Sequence, residues 1–372
     1  MARVVASHSG DDLNELESRQ DPRLLRALDM VAPGTPLREG IDNIIHARTG
    51  GLILIAEAED VSFLFSGGIK LDIDYTPALL YQVAKMDGAI VLDPGSRKIC
   101  WANVQLMPDP TILSMETGTR HRTAERVSKQ ARAVVVAISQ RRDVVSLYVE
   151  GIKYILDDIP TVLSKANQGL ATLEKYRDRL DQVADRLTGH EFAGGAVLYD
   201  VLAVIQRAEL VSRMAAEVER YIIELGAEGR LIEMQLEETV VGVMAERAAA
   251  VRDYSVVDSE PEIERALSDL AALAHQELLD FGRLAELLGY DRKTNTLDFT
   301  VSPRGYRALS RVPRLPRLVA QKVVHNFGDL VTILAAPEDE LAAVDGVGES
   351  HAKEIREGLR RLQEVDVVDR YR

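Results

Sequence analysis

Two short stretches carry residue types that suit chemistry on phosphate. The first is Gly118-Thr119-Arg120-His121-Arg122-Thr123-Ala124-Glu125. Two arginines and a histidine follow a Gly-Thr turn, and Arg126-Val127-Ser128-Lys129-Gln130-Ala131 continues as a predicted helix. A helix start offers unpaired N–H groups and the positive end of the helix dipole, and both favour anions. Two guanidinium forks beside it suit a polyphosphate. The same residues also read as a basic cap on a solvated surface. The second stretch runs from Lys85 to Asp93. Asp87-Gly88 ends the helix-like run Leu79 to Ala84 and opens an apolar strand, Ala89 to Leu92. Glycine permits close backbone approach, and a carboxylate at a strand edge can hold a divalent cation. Alone, Asp-Gly reads as a turn. Beside Arg120-His121-Arg122 it supplies a carboxylate for a cation, set against cations for a phosphate.

These residues need a scaffold, and the pattern supplies one in three parts. Met1 to Gln20 is polar and is expected to be a mobile lead-in. From 21 to 158, amphipathic helices at Leu24–Val31 and Leu37–Ala47 flank Pro33-Gly34-Thr35-Pro36. Strand-like runs follow at Leu52–Ile55, Ala89–Leu92, Ala133–Ile138 and Val144–Val149. Nearly wholly apolar short strands interleaved with helices predict an α/β domain with a mixed, doubly covered sheet. From 159 to 309 the chain is predicted helical. Leu173, Tyr176, Leu180, Val183 and Leu187 make one apolar stripe, expected to be interrupted at Gly189, Gly194 and Gly195. A second helical stretch from Tyr199 to about Tyr254 is weakened at Gly226 and Gly229. This middle part reads as a helical bundle, a spine between two ends.

The last part, 310–372, is expected to be a helix-hairpin-helix domain. Val312-Pro313-Arg314-Leu315-Pro316 opens it, and Asp345-Gly346-Val347-Gly348 is a tight glycine turn between helices. Such a turn exposes backbone N–H groups that can grip a nucleic-acid phosphate without reading sequence. Glu349 and His351 stand where basic side chains would strengthen that grip. From Arg304 to Lys322 the chain carries Arg304, Arg307, Arg311, Arg314, Arg317 and Lys322 with no acidic residue. The net charge of −14 over 372 residues argues against uniform coating of nucleic acid and leaves a local patch as the candidate. No apolar run approaches the ~20 residues of a membrane helix, and Met1 to Asp12 lacks a signal-peptide core, so a soluble cytoplasmic protein is expected. The single Cys100 excludes an intrachain disulfide and reads as a buried structural thiol.

Asp87-Gly88-Ala89 and Thr119-Arg120-His121-Arg122-Thr123 resemble the two signature motifs of the diadenylate cyclase family, in the same order and at a similar separation. The C-terminal hairpin narrows the resemblance to members of that family that scan DNA. The resemblance implies that two ATP molecules condense to cyclic di-AMP, a second messenger, with release of two pyrophosphates. It assigns Asp87 to the metal, Mg²⁺ or Mn²⁺, and to activation of the 3′-hydroxyl. It assigns Arg120, His121 and Arg122 to phosphate and departing pyrophosphate. Gly88, Ala89, Gly118, Thr119 and Thr123 complete the ATP cradle, Leu106 packs on adenine, and Ser139 touches phosphate. It implies DNA contacts at Arg311, Arg314, Arg317, Lys322, Gly346, Val347 and Gly348. The partners it implies are branched DNA such as recombination junctions and further copies of the chain, in an octamer with face-to-face cyclase domains. A role in DNA damage and repair follows, in the cytoplasm and at the nucleoid when DNA is bound. Two rival readings use the same residues: a DNA-binding repair scaffold with a vestigial nucleotide site, and another nucleotidyltransferase or an ATP-dependent hydrolase. The lack of a Gly-x-x-x-x-Gly-Lys-Ser/Thr loop counts against a P-loop ATPase.

Overall fold

The computed structural model describes residues 21–140, 144–292 and 296–370, the last six as backbone alone. The lead-in expected over 1–20 lies outside them. The chain forms two compact units, Met1–Gly169 with Ala216–Gln235, and Leu170–Ala215 with Leu236–Arg372.

The first unit is built on a mixed sheet. Helices α1 (Pro22–Met30) and α2 (Pro36–His46) each start with a capping side chain followed by proline. Asp21 accepts from the Arg23 amide and Thr35 from the Arg38 amide, and proline at the first position has no N–H to leave unpaired. Strand β1 (Gly51–Ile55) follows, then a short helix α3 (Ala58–Val61), β2 (Phe65–Ser66), β3 (Ile69–Asp74) and α4 (Pro77–Ala84). Next come β4 (Ala89–Leu92), β5 (Lys98–Leu106), α5 (Thr119–Ala131), β6 (Val134–Ile138), β7 (Val145–Val149) and β8 (Ile152–Leu156). The strands lie in the order β2-β5-β4-β1-β6-β7-β8, with β3 also paired to β5. β1 and β4 are parallel, in register Ile53 with Ile90, and every other pairing is antiparallel.

Why the four apolar runs become central strands is visible in the packing. Ile53 and Ile55 point into one core with Ile90, Leu92 and Val136, against Leu24, Leu28, Ile41, Ile44 and Leu80 of α1, α2 and α4. Leu52 and Leu54 point the other way, with Val91, Val135 and Ala137, against Ala124 and Val127 of α5. Both faces are covered, so alternation vanishes from the sequence. β3 is mostly exposed and β8 alternates between half-buried and exposed, so neither shows an apolar run. Cys100 is buried in β5, as expected.

Residues 216–235 join this unit through a buried polar group. The Arg220 guanidinium donates to the Tyr154 hydroxyl at 2.8 Å, and that hydroxyl donates to Glu224 at 2.7 Å.

The second unit is helical. It includes parts of two long helices, α6 (Ile159–Ala193) and α7 (Leu198–Leu225), and of α8 (Arg230–Val240). Gly189 lies inside α6 and does not interrupt it, whereas Gly194 and Gly195 follow its end, Gly194 at φ +70°. The stretch from Tyr199 to Tyr254 is three helices: α7, α8 and α9 (Val243–Tyr254), the first two joined by a 3-10 turn at Gly226–Gly229. Then come α10 (Glu260–Ala272), α11 (His275–Leu278), α12 (Phe281–Leu287), α13 (Tyr306–Ser310), α14 (Arg317–Phe327), α15 (Leu330–Ala335), α16 (Glu338–Ala343) and α17 (Gly348–Arg370).

The last core takes in Ala308 and Leu309, just ahead of the expected start at Ser310. Arg307, 1% exposed, is a hub. Its guanidinium meets Glu191 and Glu246 at 2.6 Å each and donates to the Ala184 carbonyl. Asp253 accepts the Gly305, Tyr306 and Arg307 amides at 2.6–2.8 Å and so caps α13. Arg307→Ala leaves the buried Glu191 carboxylate without its guanidinium and leaves the half-buried Glu246 only the more distant Arg311. Its expected effect is a loss of about 3–5 kcal/mol, read as a lower urea midpoint by circular dichroism against the wild type.

Candidate functional site

The parallel pairing of β1 and β4 sets their N-terminal ends side by side. Thr49 and Gly50 lead into β1, which opens with Gly51 and Leu52, and Lys85, Met86, Asp87 and Gly88 lead into β4. Together with Arg120 of α5 and Gln140 they line a cavity of about 240 Å³. The carboxylate and the first arginine of the two motifs, 33 positions apart in the chain, therefore share one cavity.

Two glycines make it possible. Gly88 has φ +93°, and a Cβ there would lie 2.8 Å from the Asn103 carbonyl carbon and 2.9 Å from the Val104 oxygen. The β5 backbone approaches so closely because its register with β4 shifts between Ala89 and Val91. Gly50 has φ +68°, and a Cβ there would lie 2.6 Å from Nη1 of Arg120. That space admits the guanidinium, which donates to the Ile138 carbonyl at 3.3 Å. Sequence reasoning passes over Gly50-Gly51 and Gln140. The Gly-Gly pair before an apolar strand is the available signal.

The rest of the second motif works along α5. Gly118 precedes the helix and contributes no side-chain cap, so no side chain competes for the first-turn N–H groups. Arg122 donates to the Glu116 and Thr117 carbonyls at 3.2 and 3.3 Å. The Arg126 guanidinium donates to the Ile112 carbonyl and the Lys129 ammonium to the Leu113 carbonyl. Glu125 accepts from the Ser114 hydroxyl, the Met115 amide and Lys129. One helix face thus holds the preceding loop, residues 109–117, against the domain. Thr119 is exposed and Thr123 half-buried.

Leu106, Ser139 and Ala89 are not among the residues that line this cavity. Leu106 is 7% exposed and belongs to the core cluster of Leu52, Leu64 and Val104; of these four, Leu52 lines the cavity and Leu106 does not. Ser139 closes a hairpin by donating its amide to Val144, and its neighbour Gln140 is the residue that reaches the cavity. Ala89 is fully buried at the start of β4. Among the described residues no cluster of three or more His, Cys, Asp or Glu forms a metal centre. Asp87 is a single exposed carboxylate in a polar cavity. A cation that keeps waters and takes its remaining oxygens from phosphate needs no more than that.

His121 sits between the two ends of this helix–loop clamp. Its Nδ1 lies 3.1 Å from the Tyr148 hydroxyl, which donates to Glu116 at 2.9 Å. Lys153 pairs with the same Glu116 oxygen at 2.6 Å. Burial works to raise the carboxyls of Glu116 and Glu125. The Lys153 and Tyr148 bonds at Glu116, and the Lys129 and Ser114 bonds at Glu125, outweigh it and hold both below the usual range.

In the second unit the loop between α13 and α14 repeats the loop between α16 and α17. Leu309, Val312, Leu315, Ala320, Val323 and Phe327 recur 32 positions later as Leu341, Val344, Val347, Ala352, Ile355 and Leu359. The amides of Val312 and Leu315 bond the Leu309 and Val312 carbonyls, and those of Val344 and Val347 bond Leu341 and Val344 in the same way. Arg314 at φ +63° stands where Gly346 at φ +80° does. The repeat escapes sequence reading because Pro-Arg-Leu-Pro replaces Asp-Gly-Val-Gly. Arg314, Arg317 and Lys322 are exposed. Lys322 pairs with Asp345 at 2.9 Å beside the Gly346 turn. The rest of the expected basic run is engaged within the unit. Arg304 donates to the carbonyls of Arg252, Asp253 and Ser255, Arg307 is the buried hub, and Arg311 lies 3.5 Å from both Asp185 and Glu246. A carboxylate partner consumes the charge that a phosphate would need.

Among the described residues no helix is long and apolar enough to cross a membrane. Residues 38–153 match the family described as DisA bacterial checkpoint controller nucleotide-binding, and 156–297 match the DisA bacterial checkpoint controller linker region. The chain is similar to the DNA integrity scanning protein DisA of Carboxydothermus hydrogenoformans, 49% identical over 93% of this chain and 98% of that one. It is likewise similar to the DisA of Clostridium botulinum, at 46% over 94% and 99%, and of Streptomyces coelicolor, at 47% over 94% of each.

Gly88→Ala forces a left-handed alanine against β5. A loss of roughly 1–3 kcal/mol is expected, with weaker nucleotide binding; a melting curve and an ATP titration check both. The lowered carboxyls give a pH prediction. Their share of stability is present above the unfolded glutamate value of about 4.3 and is lost as pH falls through their lower folded values. Loop 109–117 should therefore become increasingly sensitive to pepsin as pH falls below about 4.3, and Glu125→Gln should move that onset to higher pH.

Proposed function

Because the chain belongs to the DisA family, we propose that its first unit is a diadenylate cyclase and that its second unit holds DNA. The observation that carries the first half is the shared cavity of Asp87 and Arg120, floored by Gly50, Gly51 and Gly88. The reaction joins two ATP molecules into cyclic di-AMP and releases two pyrophosphates. Each 3′-hydroxyl attacks the α-phosphorus of the other ATP in line, and the bond to pyrophosphate breaks. Asp87 stands at the mouth of the strand pair, where its carboxylate holds Mg²⁺ or Mn²⁺ and draws the proton from the 3′-hydroxyl. The cation supplies neutralisation of charge on the phosphates. Arg120, seated in the space left by Gly50, binds phosphate oxygens through its fork, and the uncapped start of α5 adds backbone N–H groups. Gly88, Ala89, Gly118, Thr119, His121, Arg122, Thr123 and Ser139 complete the cradle in this reading, with Leu106 behind the base.

A two-fold symmetric product requires two nucleotides related by a two-fold axis. Two copies of the first unit therefore face each other, and an octamer is the assembly this reading adopts. Placement in the cytoplasm, and at the nucleoid with DNA, belongs to the same reading.

For DNA, the repeated hairpins offer two backbone grips. The first carries Arg314 and Arg317; the second opens α17 with Glu349 and follows the acidic α16. Lys322 stands between them, and its exposed pair with Asp345 is weak enough to yield to a phosphate. The phosphate grip rests mainly on the first hairpin and Lys322, with Arg311 in a supporting place. Contacts of this kind ignore sequence, so a preference for branched DNA arises from shape and from several modules engaging several arms.

Asp87→Asn, nearly isosteric but uncharged, is expected to remove at least ~90% of cyclic di-AMP synthesis from ATP and Mg²⁺ while ATP still binds. Chromatography of the products decides it, and near wild-type synthesis would return the site to a scaffold. In the second unit, replacing Arg314, Arg317 and Lys322 together with Ala should weaken junction binding and flatten its dependence on log salt by about 2–3 units of slope. Gel-shift titrations at several salt concentrations read both, and an unchanged slope places the DNA elsewhere.

A further inference from the structure

Each end of the β1–β4 pair opens on a cavity. The one at the N-terminal ends holds Asp87 and Arg120. The other, of about 220 Å³, lies past the C-terminal ends, where Ile55 closes β1 and Leu92 closes β4. A strand of five residues, at about 3.3 Å each, separates the two. The crevice outside the carboxyl ends of parallel strands is where open α/β sheets receive ligands, and nothing in the nucleotide chemistry uses this one. Its floor is apolar and buried: Leu37 of α2 is 4% exposed, Ile55 6% and Leu92 2%. Tyr75, between β3 and α4, lines it from the side.

The polar groups of this cavity are not equally engaged. Asp93 accepts the Ser96 and Gly95 amides at 2.6 and 2.8 Å, which ties it to its own turn. The Thr35 hydroxyl bonds the Ala32 carbonyl and the Arg38 amide. Asp29 and Arg97 are exposed, and among the described residues neither side chain has a hydrogen bond or an ion pair. Asp29 stands in the last turn of α1, where the helix dipole disfavours an acid, so helix stability does not account for it. The half-buried Tyr75 hydroxyl has no hydrogen bond among the described residues either. Burial raises that hydroxyl, and the charge of the nearby Arg97 works against the rise. The Arg97 carbonyl accepts the Tyr75 amide at 3.3 Å, so the two side chains leave adjoining backbone. An acid and a base that share a cavity without pairing suit a ligand that carries both charges. A free phosphate gains nothing from the apolar floor and meets two carboxylates.

We infer that this cavity binds an apolar α-amino acid, with its carboxylate on Arg97 and Tyr75, its ammonium on Asp29 and its side chain on Leu37, Ile55 and Leu92. A guanidinium fork takes a carboxylate through two parallel bonds, and a phenol O–H donates a third. An ionised Asp only accepts, so it selects the ammonium. The volume lies below the ~300–1,000 Å³ of sites for drug-sized ligands, which fits a small molecule rather than a second nucleotide. The α1–α2 corner that borders the cavity is held from behind. The Ala227 amide donates to the Pro33 carbonyl at 3.2 Å, and a Cβ on Gly226 would lie 2.6 Å from the same oxygen. An occupied cavity braces that corner from the sheet side. The inference does not rest on the cyclase reading.

Calorimetric and thermal-shift titrations of the full chain with L-leucine and L-phenylalanine test it. At least one should saturate a single site per chain below about 10 mM, ten times a weak Kd of about 1 mM. 4-Methylpentanoate and 3-methylbutylamine each keep the leucine side chain and one of its two charges. Both should bind at least about 10-fold more weakly than leucine, as the loss of one charge-assisted contact implies. Arg97→Ala and Asp29→Asn should each weaken amino-acid binding by a similar factor. Both positions are exposed, so the variants should melt with the wild type. Saturating ATP should leave the amino-acid titration unchanged, because the two cavities lie at opposite ends of the strand pair. Neither heat nor a melting shift from either amino acid overturns the inference. Equal affinity for the single-charge analogues also overturns it, since that marks an apolar pocket alone. An unchanged Kd in both variants, or displacement by ATP, places the ligand elsewhere and overturns it too. Inorganic phosphate that binds the wild type and not Arg97→Ala would make the cavity an anion site instead.

Discussion

The parallel pairing of β1 and β4 is the constraint on which the first unit depends. Parallel strands place both N-terminal ends at one edge of the sheet, and here both leading segments carry glycine: Gly50 before β1, which itself opens on Gly51, and Gly88 before β4. The space left by the missing side chains is taken by the β5 backbone at Gly88 and by the Arg120 guanidinium at Gly50. Asp87 is exposed there because the turn it belongs to is wedged under β5. Helix α5 packs Ala124 and Val127 on the opposite face of the strands from α1 and α2, and that packing brings its first turn to the same edge. The cavity is thus a product of strand direction and of two positions without a Cβ.

Rigidity around the site comes from charge held close to the backbone. Loop 109–117 contains exposed Leu113 and Met115, and among the described residues neither apolar core of the first unit includes it. Instead Arg122, Arg126 and Lys129 donate to its carbonyls, while Glu125 accepts from Ser114 and the Met115 amide. Charge-assisted bonds of this kind are stronger than neutral ones and lose force when a carboxylate protonates. The second unit uses the same device with deeper burial. Arg307, Glu191, Glu246 and Asp253 knit α6, α9 and α13 into one polar knot. Such a knot gives little net stability over an apolar core, yet removing one member is expensive. It also buries Arg307 and engages the half-buried Arg304 and Arg311 with carbonyls and carboxylates, and leaves Arg314, Arg317 and Lys322 to face solvent.

Much of the molecule is legible in the order of its amino acids. Asp87-Gly88 and Arg120-His121-Arg122 are readable because an acid on a glycine turn and a basic helix start are local features whose chemistry does not depend on their surroundings. The central strands are readable because burial on both faces makes them uniformly apolar: Leu52–Ile55, Ala89–Leu92 and Val134–Ile138 sit within a residue of their expected bounds. β3 and β8 are not, since edge strands with exposed faces carry no hydrophobic signature. Gly189 misleads because a glycine inside a well-packed helix costs only about 1 kcal/mol, and tertiary contacts absorb that.

The sequence by itself determined the inventory: the two motifs, the apolar strands, the helical middle and the glycine hairpin at Gly346-Val347-Gly348. It determined them because each depends on neighbours a few positions away. Only the tertiary structure decided which members of that inventory meet. It brought Arg120 to Gly50 and left Leu106 in the core. It spent Arg311 on Asp185 and Glu246, and set Tyr148 between His121 and Glu116. It also showed that Pro313-Arg314-Leu315-Pro316 adopts the turn of Asp345-Gly346-Val347-Gly348, with an arginine at positive φ in place of glycine. The physical reason is the same throughout. A side chain's type is local, but the partner that uses up its charge, or leaves it for a ligand, comes from a strand or helix whose distance in sequence carries no information about its distance in space.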